Sequence, residues 1–344
     1  MRTIAGLIKQ TRRAAPRRLS PAETLHRRLL EHVPTAREVL LPDHPPGDER
    51  QEELEARFFY SIKLRNGIRK FTYPHRLDDL NDLVSGLLPP HRPLKVMDVA
   101  ASSGVNTVEW ADSLRRAGVD CHMVAGDLSA NGFLVTVGSH LRVLTDGAGY
   151  PLQFDIFGKA IQNPPGRRHL ALYFLPLSLI RIMLFARFAS LREACRAAPG
   201  EQYAGTRWLG CRRVALVSSK VKALPGFSVV EDDILSNTGL RDGFHVLRAA
   251  NVLNRKYFDD DTLVAMLLNL RSRLASGGLF IACMTDERGR NAGTVFTLTE
   301  AGEFDVVARL GGGSEIEDLV LGLGRGCGEP AREIAFRNAL TFRR

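Results

Sequence analysis

Cysteine is scarce and scattered in this chain. Cys121, Cys195, Cys211, Cys283 and Cys327 form no C-x-x-C pair, which argues against a zinc ribbon, a dithiol redox centre and a disulfide framework. A reducing, cytoplasmic setting is therefore the expectation. No G-x-G-x-x-G loop occurs, which counts against NAD. The sequence shows no Ser-His-Asp arrangement and no metal-ligand cluster. The opening stretch "MRTIAGLIKQTRRAAPRRLS" has no long apolar run, so no secretory signal is expected. Up to Leu30 acids are absent except Glu23, and residues 1–50 read as a basic arm. The net charge of +9 favours acidic partners; among these, nucleic acid is not favoured.

What is present is alternating α and β pattern in a chain of 344 residues, enough for a large domain with additions. "ELEARFFYSIKLRNGIRKF" (53–71) and "HRLDDLNDLVSGLLP" (75–89) have helical apolar spacing. "LKVMDVA" (94–100) reads as a buried strand, "VNTVEWADSLRRAG" (105–118) as a helix, and "DCHMVAGDLS" (120–129) as a second strand. That order implies a right-handed parallel unit. The alternation resumes with "FSVVEDDIL" (227–235), "FHVLRAANVL" (244–253), a helix over 260–278 and the strand "LFIACMT" (279–285). "GTVFTLT" and "EFDVVARLG" read as a terminal antiparallel pair.

The turn after the first strand carries the chemical interest. Small residues there admit a ligand close to the backbone, at a helix start whose N–H groups are unpaired. An acid at the end of the next strand suits ribose hydroxyls. The residues are Ala100, Ala101, Ser102, Ser103 and Gly104, followed by Asp127. A Cβ disfavours the left-handed region, so Ala100 is expected at negative φ.

The segment Asp98-Val99-Ala100-Ala101-Ser102-Ser103-Gly104 resembles the first motif, D/E-x-G-x-G-x-G, of the class I S-adenosylmethionine-dependent methyltransferases. It keeps the last glycine and replaces the other two. "GDLS" is similar to that family's second acidic motif and "EDDIL" to its third. The region 244–282 resembles, in particular, the chemotaxis-receptor methyltransferases, with Asn251, Val252, Leu253, Tyr257 and Phe258 echoing their R-N-V-L-x-Y-F pattern. The resemblance covers about 94–128 and 227–285. It implies an α/β fold: a Rossmann-like methyltransferase sheet of about seven strands, helices on both faces, and a long insertion between strands 2 and 3. It implies S-adenosylmethionine as cofactor, bound by Asp98, Ala100, Ser102, Gly104, Asp127 (ribose) and Asp233 or Asp232 (adenine). On the acceptor side, Asn251 is the best-placed polar group, and Arg248 suits a carboxylate or phosphate. Tyr257 and Arg255 are candidate pocket walls, and His245 reads as a core residue. The acceptor is not identified; a protein carboxyl or side-chain methyltransferase and a non-catalytic scaffold of the same fold are the rival readings.

The domain reading is a basic arm (1–50), N-terminal helices with the first half of the methyltransferase domain (51–128), an apolar insertion (129–225) and the second half (226–344). Within the insertion, "HLRVLTDGAGYPLQFDIFG" reads as a hairpin about Asp146-Gly147, "RRVALVSSKV" as a further strand, and "NPPG" as a loop turn. "LALYFLPLSLIRIMLFARFA" is the most apolar segment, interrupted by Pro176, Arg181 and Arg187. Residues 169–189 have three readings: a buried or homodimer-forming helix, an interfacial helix on an anionic membrane that would make the protein peripheral to the inner face of that membrane, and a membrane span, which the interruptions disfavour. Either of the first two would place an apolar cap near the cofactor end of the sheet and suit a hydrophobic or lipid-linked acceptor.

Overall fold

The computed structural model describes residues 33–41, 49–64, 69–162 (71 and 73 apart), 209–236, 240 and 243–323, plus the backbone of 203–205 and a few isolated positions. The basic arm before residue 33, "NPPG" and nearly all of the 169–189 run lie outside the described residues.

Among the described residues two helices come first, the short α1 (Ala36–Leu40) and α2 (Glu49–Ser61). Thr35 caps α1 in a capping box with Glu38. The apolar spacing that predicts a helix to residue 71 is cut short at Ser61. By Arg69 the chain has reversed, forming an antiparallel bridge to Lys63. Next comes α3 (Asp78–Leu87), then the parallel unit β1 (Leu94–Val99), α4 (Val105–Arg116) and β2 (Cys121–Asp127). The insertion supplies β3 (Asn131–Val137), β4 (Leu141–Asp146), β5 (Pro151–Ile156), β6 (Lys159–Gln162), β7 (Tyr203–Gly205), β8 (Leu209–Ala215) and α5 (Ser219–Ala223). The chain then returns through β9 (Phe227–Glu231), β10 (Phe244–Ala250), α6 (Asp260–Arg271), β11 (Leu274–Thr285), β12 (Asn291–Leu298), β13 (Phe304–Leu310) and α7 (Glu317–Gly322).

The first sheet has seven strands in the order β13-β12-β11-β10-β1-β2-β9. The pairs β9–β2, β2–β1, β1–β10 and β10–β11 are parallel, and β12 and β13 extend the sheet antiparallel. Helices cover both faces because the central strands are apolar on both. On one face Leu263, Met266, Leu267 and Leu270 of α6 and Val320 of α7 pack on Met97, Leu247, Phe280 and Phe296. On the other, Leu80 and Val84 of α3 and Trp110 and Leu114 of α4 pack on Val96, Met123, Val246 and Ile281. The carboxyl ends of five strands meet at one edge, where ligands bind in such sheets.

The insertion is more than a hairpin and a helix. It contains a six-stranded antiparallel sheet in the order β6-β5-β4-β3-β8-β7. The expected hairpin is β4–β5, whose turn is held by the Asp146 carboxylate accepting the Ala148 and Tyr150 N–H groups at 2.9 and 2.8 Å. The expected strand at 212–221 is β8, which ends at Ala215 and is followed by α5. Phe58 and Phe59 of α2 pack on Leu134, Leu144, Leu152 and Val214 of this sheet. α1 and α2 therefore belong with the insertion's core, whereas α3 packs on the first sheet. Leu216 N–H donates to Ala130 O, and Asp232 N–H to Asp127 O. The second sheet thus leaves and rejoins the chain at the carboxyl edge of the first.

Candidate functional site

The turn after β1 has an unusual backbone. Ala100 has φ 55°, Ser102 φ 58° and Gly104 φ 79°. All three sit in the left-handed region that glycine visits freely and other residues avoid. The expectation of negative φ at Ala100 is corrected: the turn takes the conformation of a glycine-rich motif although two of the glycines are absent. The surroundings hold it there. Ala101 N–H donates to Gly126 O and Gly104 N–H to Ala101 O, both at 2.9 Å. Ser102 N–H donates to Asp127 Oδ2 at 2.8 Å. Above Gly104 lies α5; an added Cβ there would come within 2.5 Å of the Val221 methyl.

Asp127, at the carboxyl end of β2, is buried beside this turn. Its Oδ1 accepts Lys70 Nζ at 2.8 Å and Ser129 N–H at 2.9 Å. A carboxylate oxygen accepts about two hydrogen bonds, so Oδ2, with Ser102 bound, keeps a position for a further donor.

Asp98 lies under the turn rather than in it. It is buried, and the Arg248 guanidinium clasps it, Nε to Oδ1 at 2.9 Å and Nη2 to Oδ2 at 2.7 Å. Thr107 Oγ1 donates to Asp98 Oδ2 at 2.6 Å. Arg248 also donates to Asn81 Oδ1 at 2.7 Å and stacks over Trp110 at 4.1 Å. With 1% of its surface exposed, Arg248 cannot meet an acceptor carboxylate. That expectation is corrected: the residue neutralises Asp98 and ties β1 and β10 to α3 and α4. Neither sequence spacing nor charge pattern signals this pair, which is 150 residues apart.

The third-motif acids divide. Asp232 is buried and ion-paired to Arg273, Nη1 to Oδ2 at 2.6 Å, below the face that α6 covers. Its N–H donates to Asp127 O at the carboxyl end of β2, while its carboxylate is engaged by Arg273. Asp233 accepts Leu235 N–H at 3.0 Å and Ser236 Oγ at 2.7 Å, closing the turn after β9.

Asn251, just after β10, has φ 61°. Its Oδ1 accepts Thr285 N–H at 2.7 Å and its amide donates to Thr285 Oγ1 at 3.2 Å, joining the ends of β10 and β11. Thr285 Oγ1 donates in turn to Asn291 Oδ1 at 2.7 Å, and Asn291 donates to Asp79 at 2.6 Å. Beyond this network lies a cavity of about 480 Å³. Its lining includes Asn254, Lys256, Thr285, Asp286, Arg290 and Gly312. Asn251 therefore stands between the turn after β1 and this cavity. Arg255 is held by Asp260 and Asp318, and Tyr257 is exposed; neither lines the cavity. His245 is a satisfied residue, its Nδ1 accepting Lys95 N–H at 2.9 Å. Burial pushes the Cys283 thiol up to about 11, so it is no nucleophile near neutral pH. Among the described residues no His, Cys, Asp and Glu group is arranged to hold a metal ion.

No protein-family model and no curated protein matches the chain. Among solved structures it is similar to the CMeT domain of the citrinin polyketide synthase, at 17% identity over 60% of this chain and 33% of that one, TM-score 0.28. It is similar to the trans-methyltransferase CalH in complex with SAH, at 15% identity over 72% and 42%, TM-score 0.28. A putative protein-L-isoaspartate O-methyltransferase from Plasmodium falciparum, in complex with S-adenosyl-L-homocysteine, gives 12% identity over 75% and 81%, TM-score 0.29. The chain spans 33% and 35% of the first two structures it matches, the citrinin synthase domain and the CurJ carbon methyltransferase. Likeness at this level carries no weight for activity. The fold rests on its own strand order: five parallel strands arranged 3-2-1-4-5 and extended by two antiparallel ones form a Rossmann-like sheet.

Proposed function

We propose that the chain is an S-adenosylmethionine-dependent methyltransferase. The observation that carries this reading is the turn 100–104. Three left-handed residues are held at the carboxyl end of β1, two of them with side chains that disfavour this conformation. Strain of this kind persists where the surroundings over-determine it, and it clusters at ligand sites. The residues fit the cofactor in part. The small side chains of Ala100 and Ser102 leave the backbone open to its methionine portion, and Asp127 Oδ2 has room for a ribose hydroxyl. Asp232, buried in its pair with Arg273, does not contribute.

The bound cofactor would supply an activated methyl group with its leaving group attached. The chain's own work is alignment, from which large rate gains are available. Asn251 stands on the acceptor side, with its amide fixed by Thr285. The cavity beyond it has both acidic and basic side chains in its lining, Asp286 and Glu315 with Lys256 and Arg290. This favours a small polar acceptor over the lipid-linked one that the apolar run suggests. Membrane contact through 169–189 rests on sequence alone, and co-sedimentation with anionic vesicles at low salt tests it.

The test of the function is calorimetry of the full chain with S-adenosylmethionine and S-adenosylhomocysteine, followed by transfer of labelled methyl groups into a fractionated cell extract. Binding of both and label in one fraction are expected. A folded protein that binds neither ligand is a scaffold of this fold, and the proposal fails.

A further inference from the structure

The turn 100–104 is held from outside the first sheet, by two struts that both start in the chain before β1. The first is Lys70. Its side chain is 0% exposed, and Nζ lies 2.8 Å from Asp127 Oδ1. Asp127 passes the constraint on, because its Oδ2 takes the N–H of the left-handed Ser102. Lys70 is itself fixed by the reversal after α2, where its N–H donates to Ile62 O at 3.1 Å. The second strut is Glu55 of α2, also buried. It accepts Ser218 Oγ at 2.5 Å and Ser219 N–H at 3.0 Å. Ser218 N–H then donates to Ser103 O at 2.8 Å, and Val221 packs over Gly104.

We propose that Lys70 is a positioning residue for the cofactor, acting through Asp127 to hold Ser102 in the left-handed conformation. The proposal rests on the turn being the cofactor site. A serine released from the Asp127 carboxylate has a Cβ that favours negative φ. A peptide that turned over there would direct its N–H and C=O groups away from the positions a ligand needs. Asp127 can hold the turn only while its charge is balanced and its rotamer fixed, and the buried ammonium does both. Glu55 and Lys70 thereby shape a site built on β1 and β2.

The experiment is a double-mutant cycle on the full chain, with Lys70→Met, Ser102→Gly and both together. Glycine takes positive φ without penalty, so a turn carrying it needs no holding. Two quantities are read: the Kd of S-adenosylhomocysteine by calorimetry, and amide exchange at 100–104 in the free protein. In the native background Lys70→Met should weaken binding about tenfold, the loss of one charge-assisted hydrogen bond, and speed exchange at the turn. In the Ser102→Gly background the same change should weaken binding by less than about threefold. A general structural role predicts equal loss in both backgrounds, and that result overturns the proposal, as does unchanged binding and exchange in Lys70→Met. If Lys70→Met does not fold, Lys70→Gln, which keeps a donor toward Asp127, carries the same comparison with a smaller loss. Exchange separates the two claims. If the native chain binds no cofactor but exchange responds to Lys70 as described, the function fails and the coupling stands. If it binds and neither quantity responds, the coupling fails alone.

Discussion

At the scale of the residue, the positions of the chemistry are legible in the sequence and the partners are not. Small residues after a strand, then an acid after the next strand, mark Ala100, Ser102 and Asp127. Lys70 and Arg248, which neutralise Asp127 and Asp98, stand 57 and 150 residues away in sequence. No periodicity links them, so their roles come only from the fold. Ala100 gives a direct test of the strained turn. A left-handed alanine costs roughly 1–2 kcal/mol, and glycine returns part of that gain, about 0.5–1 kcal/mol, as lost chain entropy. Ala100→Gly should therefore raise unfolding stability by about 0.5–1 kcal/mol in denaturant titration. A destabilised variant would mean that Ala100 does not sit at positive φ. Cys283 offers a second test. Its thiol, raised by burial to about 11, should resist iodoacetamide at pH 8 in the folded chain and react after unfolding; rapid labelling of Cys283 itself in the native protein, read by peptide mass, would contradict its burial.

At the scale of the element, strands and helices of the first sheet lie where apolar spacing puts them, while their ends shift. The helix expected over 260–278 stops at Arg271, and β11 begins at Leu274 with an irregularity before Leu279. Gly277, at φ 74°, lets the strand kink there instead of capping a longer helix. The terminal helix α7 is tied down by charge. Glu317 takes Arg309 Nη2 at 2.6 Å and Thr294 Oγ1 at 2.7 Å. These bonds, Arg309's first, hold its carboxyl below the usual glutamate range. A depressed folded-state pKa stabilises above the unfolded value, near 4.3, and the gain is lost as pH falls through the folded value. Arg309 is half-exposed, so solvent screens the pair and its contribution is small. Glu317→Gln should lower stability slightly at pH 7 and by less as pH falls through the folded-state pKa of the carboxyl, compared by thermal melting. An equal cost across that range would show that the charge is not what matters.

At the scale of the whole molecule, a chain that reads as one α/β domain with an apolar interruption contains two sheets with separate cores. The second sheet escapes the sequence reading for a physical reason. Its central pairing joins β3 to β8, with Val135 opposite Cys211, and no local signal marks partners so far apart. Nor does the amphipathic pattern of α2 say which sheet it covers. Phe58 and Phe59 meet edge to face at 5.2 Å and are buried against the second sheet. The same helix carries Glu55, which holds α5 against the turn 100–104. Phe58→Ala should cost about 3–5 kcal/mol, the loss of a large buried side chain plus the cavity it leaves. The damage should begin locally, because that core shares no buried residue with those around β1 and β10. Hydrogen exchange in the native state should then speed up first in β3, β4 and β8, with β1, β10 and β11 still protected. Through the Glu55 contact, S-adenosylhomocysteine affinity should fall as well, although the mutated ring belongs to the second core. If β1 and β10 open together with β3, the two sheets form one cooperative unit, and the second is no separately yielding support for the cofactor turn.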